Sequence, residues 1–347
     1  MNCKQVTTIS TAIVLVLAFG LGVARADIIL NTFVSSTGGQ PIGFAYAGNK
    51  FVGSNYFSGQ LYQTDLNGGN LQNFGAPVAN PTGEDYVSSS LGLGGFPSRD
   101  VYVATGTSIE HFTNDGTAHN TFVSGLVGNV KGITFDSTGI FGFQMLVDTD
   151  AGRVYKIDST GAATLLATIP GNPVVEGMDI APSTFGIFSG QLVIASESAN
   201  AIFAVDSAGV VTPIPVVNSS GNPTSLPGAE ELNFVPLNLG SSGNPVEGFY
   251  GSNFTVNVQK ANVSQFTGFL GDAIVTNEFG GHEIFDVHFD GTNYVVSTIG
   301  HFPDQPEDGL FVTAKIINPN GVPEPGSIAL LGTALLGLGL LRTRKKT

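Results

Sequence analysis

The sequence predicts an all-β fold, a β-propeller of six blades flanked by a signal-peptide helix and a C-terminal hydrophobic helix. Two observations carry the prediction. Between Asp27 and Asn320 no stretch sustains a 3.6-residue apolar period. Instead, short β-branched or aromatic runs (Lys50-Phe51-Val52, Val101-Tyr102-Val103, Gln191-Leu192-Val193-Ile194, Asn293-Tyr294-Val295-Val296) alternate with clusters of Gly, Asn, Asp and Ser. Many short strands at regular spacing mean a sandwich, barrel or propeller. The repeats then choose among them. Asn31-Thr32-Phe33-Val34-Ser35 returns as Asn120-Thr121-Phe122-Val123-Ser124, an offset of 89, and Gly43-Phe44 matches Gly132-Ile133 at the same offset. Half of that is about 44 residues, the length of one four-stranded propeller blade.

In chain order, the first element is an export signal. Lys4 precedes an apolar run from Ala12 to Val23, and Ala24-Arg25-Ala26 places small residues where a signal peptidase inspects the chain, so cleavage is expected after Ala26. The run is too short for a membrane span, which needs about 20 residues. Cys3 is the one cysteine and leaves with residues 1–26, so the mature chain has neither disulfides nor thiolate metal sites.

The body, residues 27–320, is strongly acidic. From Asp27 to Val322 there are 7 Lys and Arg against 26 Asp and Glu, a net charge of −19. Such a surface repels nucleic acid, whose binding rests on Lys and Arg. It suits solubility outside the cell or the binding of cations.

Within the body, Gly152 to Asp158 resembles Asn200 to Asp206 and Gly281 to Val287, and Glu176 to Pro182 resembles Glu230 to Pro236. These segments read as innermost strands of consecutive blades. Division of the body by about 44 gives six to seven blades, of which six is the reading adopted. Residues 237–270 fit the repeat poorly, as a divergent blade or an insertion. Asn31 to Ser35 reads as a fourth, outer strand that completes the last blade and closes the ring, leaving only short, protected edges.

The C-terminal segment, residues 321–347, is an address. Pro323-Glu324-Pro325 holds the chain extended. The 14 residues from Ile328 to Leu341 are apolar or small, and Arg342, Arg344, Lys345 and Lys346 form a basic membrane stop. As a helix the apolar run is about 21 Å long, short of the ~30 Å hydrocarbon core. That length fits a temporary hold in the inner membrane, with the basic end cytoplasmic. These three parts in order resemble the PEP-CTERM sorting signal of Gram-negative bacteria. The resemblance implies recognition of Pro323-Glu324-Pro325 by exosortase, a membrane transpeptidase-like protein, and delivery to the cell surface or an exopolysaccharide matrix of a biofilm.

A second resemblance lies inside the body. Leu146-Val147-Asp148-Thr149-Asp150-Ala151-Gly152-Arg153-Val154-Tyr155-Lys156-Ile157-Asp158 is similar to the NHL and SMP-30/gluconolactonase-like repeat, and Ala195 to Asp206 and Thr276 to Phe289 follow it without the Arg. It implies a propeller. It also raises a Ca²⁺-dependent sugar-lactone hydrolase as an alternative to a binding or scaffold protein that engages a partner such as polysaccharide.

The chemistry-bearing residues are oxygen donors. Turns between second and third strands fall on the face of the inter-blade crossings. They bring together Ser54-Asn55, Asp148-Thr149-Asp150, Ser196-Glu197-Ser198 and Asn277-Glu278, with Glu176 and Glu230 on inner strands nearby. Asp148, Asp150, Glu176, Glu197, Glu230 and Asn277 would suit a hard cation such as Ca²⁺. Asp, Asn and Ser are also turn formers in their own right, the reading the sequence favours. No catalytic set stands out and no cofactor is specified. There is no Gly-x-Ser-x-Gly elbow, Leu91-Gly92-Leu93-Gly94-Gly95 lacks a phosphate-loop lysine, and the histidines have no ligand spacing. Asp65, Asp158, Asp206 and Asp290 read as hairpin residues.

Overall fold

The structure is a computed structural model and describes residues 27–255 and 257–318. The signal segment with Ala24 and Ala26, the Pro323-Glu324-Pro325 motif, the apolar rod and the basic stop lie outside the described residues. Among the described residues no helix is long and apolar enough to cross a membrane.

Six sheets, antiparallel but for one parallel pair, form six blades. A first strand, β1 (Asn31–Val34), precedes blade one: β2 (Pro41–Tyr46), β3 (Phe51–Asn55), β4 (Ser58–Thr64) and β5 (Gln72–Phe74). Blade two holds β6 (Val87–Leu91), β7 (Ser98–Thr105), β8 (Ser108–Phe112) and β9 (His119–Val123). Blade three holds β10 (Val130–Phe135), β11 (Met145–Thr149), β12 (Arg153–Ile157) and β13 (Ala163–Thr168). Blade four holds β14 (Glu176–Ile180), β15 (Leu192–Ser196), β16 (Ala201–Val205) and β17 (Val211–Pro213).

The last two blades are interlaced. The chain runs through β18 (Val216–Asn218) and β19 (Ala229–Phe234), then a hairpin of β20 (Gly248–Asn253) and β21 (Asn257–Asn262). It continues with β22 (Ala273–Asn277), β23 (Glu283–Phe289), β24 (Tyr294–His301) and β25 (Pro306–Val312), and a one-turn helix, α1 (Ala314–Ile317), follows. Blade five is β19-β22-β23-β24 with β18 added parallel to β24, and blade six is β25-β20-β21-β1. The poorly fitting residues 237–270 thus supply the middle hairpin of blade six, inserted between the first two strands of blade five. β1 pairs with β21 from Asn31↔Lys260 to Val34↔Val258, so the N-terminal strand closes the ring from outside as expected.

The inner strands β2, β6, β10, β14, β19 and β25 surround a central channel in that order. One sequence assignment needs correction. Arg153–Ile157, Ala201–Val205 and Glu283–Phe289 are third strands; only Glu176–Ile180 and Ala229–Phe234 of the matched segments are innermost. Third strands are packed between neighbouring blades and carry consecutive buried apolar residues, as with Val154, Tyr155 and Ile157. Inner strands face the channel and are polar and glycine-bearing, so they carry less apolar signal.

Glycine within the inner strands has a packing cause. A Cβ on Gly43 would collide with the backbone nitrogen of Val87 on the next inner strand, and one on Gly177 would lie 2.5 Å from that of Leu232. The hairpin aspartates behave as expected. Asp65 Oδ1 accepts from the N–H of Asn67 (2.8 Å) and Gly69 (2.9 Å), and Asp158 and Asp206 repeat the arrangement. The glycines of these hairpins, Gly68, Gly161 and Gly209, press on the carbonyls of Phe33, Phe122 and Leu166, each on the outer strand of the preceding blade. Phe33 in β1 therefore occupies the place that Phe122 holds in β9, which is the physical content of the 89-residue repeat.

Candidate functional site

Where the chain crosses onto each inner strand, the side chains of successive blades meet at one end of the channel. Tyr86, Lys131, Glu176, Glu230 and Glu307 stand at this level, with Glu84 beside them and with Glu197 and Glu278 supplied by the turns after β15 and β22. Lys131 bridges Glu84 and Glu176, at 2.7 Å to Glu176 Oε1. The Tyr86 hydroxyl lies 2.9 Å from Glu176 Oε2 and 3.1 Å from Glu230 Oε1. Gln305 Nε2 donates to Glu278 Oε1 and Glu307 Oε1, both at 2.7 Å.

The charge at this mouth is unbalanced: six carboxyl groups face one ammonium. Burial pushes the Glu230 carboxyl well above the usual range, and Glu176 beside it adds to the shift. Burial, then Glu84, Glu278 and Glu176, does the same to Glu307. Glu278 is pushed up to about 8 by burial and by Glu197, Glu176 and Glu84. Burial and Glu176 raise Glu197. Burial opposes the charge on Lys131, but Glu176 and Glu84 outweigh it and hold its pKa above the ordinary value. Glu230 and Glu307 are each 2% exposed. Glu230 Oε2 and Glu307 Oε2 have no hydrogen-bond partner.

Of the six residues read as metal ligands, the fold brings three together. Glu176, Glu197 and Glu230 each offer an oxygen, all within 4.8 Å of one another. Asp150 is occupied elsewhere, accepting from the backbone and side-chain nitrogens of Asn129 at 2.8 Å. Asn277 Nδ2 donates to Glu283 Oε2 at 2.9 Å. Asp148 is buried behind Gly132, its carboxyl raised by burial and by Glu176. Of a lactonase set of Asp148, Glu176, Glu230 and Asn277, the two glutamates share one cluster, while Asn277 Oδ1 and both Asp148 carboxyl oxygens are buried without hydrogen-bond partners.

Sequence reasoning missed Glu84, Tyr86, Lys131, Gln305 and Glu307, and it placed Glu278 on this face without counting it among the ligands. A signal was present: Lys131-Gly132, Glu176-Gly177, Glu230-Glu231 and Glu307-Asp308 occupy one place in the repeat. It also missed the histidine partners. His111 lies 2.7 Å from Asp100 Oδ2 and His288 lies 2.8 Å from Asp272 Oδ1, pairs made across neighbouring strands and loops that linear spacing hides.

Below the mouth, inner strands are tied to one another by side chains because they share no backbone ladder. Asp308 Oδ2 accepts from Phe44 N (2.8 Å), Asp179 Oδ2 from Phe234 N (3.0 Å), and Asn233 Nδ2 donates to Gly309 O (3.1 Å). The channel widens here into a cavity of about 840 Å³ whose far opening is bordered by Thr313, Lys315 and Ile316. The last described residue, Asn318, therefore lies at the end of the channel opposite the acidic mouth.

Residues 321–345 match the family described as the PEP-CTERM protein-sorting motif. The chain carries a PEP-CTERM sorting motif. No curated protein matches the chain. Among solved structures, regucalcin from Agrobacterium tumefaciens, described as a calcium-binding protein, aligns with a TM-score of 0.52 at 10% identity over 82% of this chain and 81% of its own. A candidate gluconolactonase aligns with a TM-score of 0.52 at 10% identity over 84% and 90%. Virginiamycin B lyase from Staphylococcus aureus aligns with a TM-score of 0.48 at 12% identity over 79% and 89%. At these identities the likeness is one of fold. The motif implies export and surface anchoring through exosortase.

Proposed function

We propose that this PEP-CTERM propeller is a non-enzymatic binding scaffold of a Gram-negative cell surface or extracellular matrix, and that its acidic mouth takes a hard divalent cation such as Ca²⁺ through Glu176, Glu197 and Glu230. The observation that carries the reading is Glu230 Oε2, buried and without a partner among carboxylates. A buried charge without a counter-ion is costly, and an all-oxygen donor set suits Ca²⁺ or Mg²⁺ over softer metals. A protein described as calcium-binding shares the fold.

The position of the chain's end supports an outward-facing site. Asn318 precedes the apolar run that starts at Ile328 by ten residues, which span at most about 36 Å when extended. A tail held transiently in the inner membrane then keeps the cavity side near the bilayer and the acidic mouth away from it. Signal peptidase and exosortase are the processing partners in this reading.

Calorimetric titration of the full-length chain with CaCl₂ tests the site. Saturable heat is expected, with a melting shift equivalent to about 2.7 kcal/mol at a hundredfold excess over Kd, and both are lost in Glu230→Gln. No heat and no shift at millimolar Ca²⁺ would remove the cation from the account. Replacing Pro323, Glu324 and Pro325 by alanine is expected to move the protein out of the surface or matrix fraction; unchanged fractionation would refute the sorting assignment.

A further inference from the structure

We propose that the rim of the acidic mouth on blades five, six and one is a docking surface for a cationic amino-sugar polysaccharide, a hexosamine polymer with free amines. The inference rests on the reading of this face as the binding face. It is carried by a strip of aromatic side chains that runs beside the carboxylates.

Tyr56 and Phe57 follow β3, Phe254 follows β20 and Phe279 follows β22, so all sit on turns between second and third strands of three consecutive blades. Tyr56 contacts Phe57 with ring centroids 4.6 Å apart and Phe254 at 5.3 Å, both edge to face. Phe57 is 66% exposed and Phe279 56%. Phe57 holds φ at +53°, a region that bulky side chains rarely adopt and that persists where the surroundings impose it.

The strip and the acids are physically continuous. Phe254 N–H donates to Gln305 O at 2.8 Å, and the amide of that same Gln305 holds Glu278 and Glu307. Phe279 directly follows Glu278, and Tyr56 packs on Gly83, next to Glu84. Aromatic faces suit the C–H face of a pyranose ring, while desolvated carboxylates suit a protonated amine. A neutral glycan leaves Glu307 Oε2 without a partner, and an anionic one meets a body of net charge −19. A strip spanning three blades fits a chain of sugars better than a single small cation.

The test uses the full-length chain and three probes: glucosamine hexamer, its fully N-acetylated counterpart and hexalysine. Calorimetry at about 150 mM salt suppresses long-range charge effects. The inference predicts saturable binding of glucosamine hexamer, weakened at least about tenfold by N-acetylation, by the pair Phe57→Ala and Phe279→Ala, and separately by Glu278→Gln. Absence of binding overturns it, as does hexalysine binding equally well. Undiminished binding by both the aromatic pair and Glu278→Gln also overturns it. Both aromatic side chains are exposed, so a melting curve matching wild type verifies folding, and Glu278→Gln provides an independent readout if it does not. Ca²⁺ titration of the unmodified chain separates the two proposals: no sugar binding with Ca²⁺ heat present strikes only this inference, and sugar binding without Ca²⁺ heat strikes only the cation site.

Discussion

Lys131 is the residue on which the mouth's electrostatics turn. Its ammonium answers Glu176, which is nearly fully buried, and Glu84. Removing one partner of a buried ion pair leaves an uncompensated charge and costs about 3–5 kcal/mol. Lys131→Met is therefore expected to lower stability by about 3 kcal/mol near neutral pH. The loss should shrink in Lys131→Met combined with Glu176→Gln; urea unfolding of the two variants checks this. At this scale the sequence was only partly legible. Glu176, Glu197 and Glu230 were readable because two sit in matched repeat segments and one in a turn. Lys131 and Tyr86 were not, because a lysine in an acidic ring draws attention only once the ring is known. Asp150 misled because its turn chemistry, an ordinary use of Asp, engages both of its carboxylate oxygens, and Asn277 because its amide nitrogen is turned to Glu283.

At the scale of strands, two features hold the ring. Glycine on the inner strands allows backbones of adjacent blades to approach, and Gly43→Ala sets a methyl group against the Val87 nitrogen. Overpacking against side chains costs about 1–3 kcal/mol, and backbone yields less readily. A loss of at least about 2 kcal/mol is expected for Gly43→Ala, while Gly268→Ala, where nothing lies within 4 Å and the backbone is outside the left-handed region, should cost less; chemical denaturation ranks the two. The closing strand is the second feature. Phe33 packs on Phe51 (5.3 Å) and Tyr250 (4.8 Å), joining blade six to blade one. Phe33→Ala is expected to cost about 3 kcal/mol and to open the clasp first, seen as faster hydrogen exchange in β1 and β21. The clasp was legible because β1 repeats β9 residue for residue. The interlacing of blades five and six was not. An inserted hairpin breaks the 44-residue spacing, and pairing between β20 and β25 leaves no local pattern in either strand.

For the whole molecule, buried acids set the pH response. Burial raises Asp85 and Asp179 to about 6 and Asp308 to about 7. The folded state then holds protons that the unfolded chain has released, so stability falls as pH rises from about 4 through these values. In the other direction, hydrogen bonds from Thr113 and Thr117 hold Asp115 down at about 2, and turn hydrogen bonds lower Asp65, Asp158 and Asp290. Their stabilisation is present above about pH 4 and is lost below it. A melting temperature higher near pH 5 than near pH 8 is the expected result of a thermal scan. Net charge and fold class were legible at this scale because repeats and composition are properties of the entire chain.

The central claim is that the acidic mouth holds a cation, and the position of Tyr86 offers a direct measurement. Its ring stands in hydrogen-bond contact with Glu176 and Glu230, close enough to sensitise Tb³⁺, a hard trivalent substitute for Ca²⁺. Tyrosine excitation of the full-length protein with Tb³⁺ is predicted to give green emission that Ca²⁺ displaces and that Glu230→Gln abolishes. No sensitised emission, or emission that survives both Ca²⁺ and Glu230→Gln, would contradict the account.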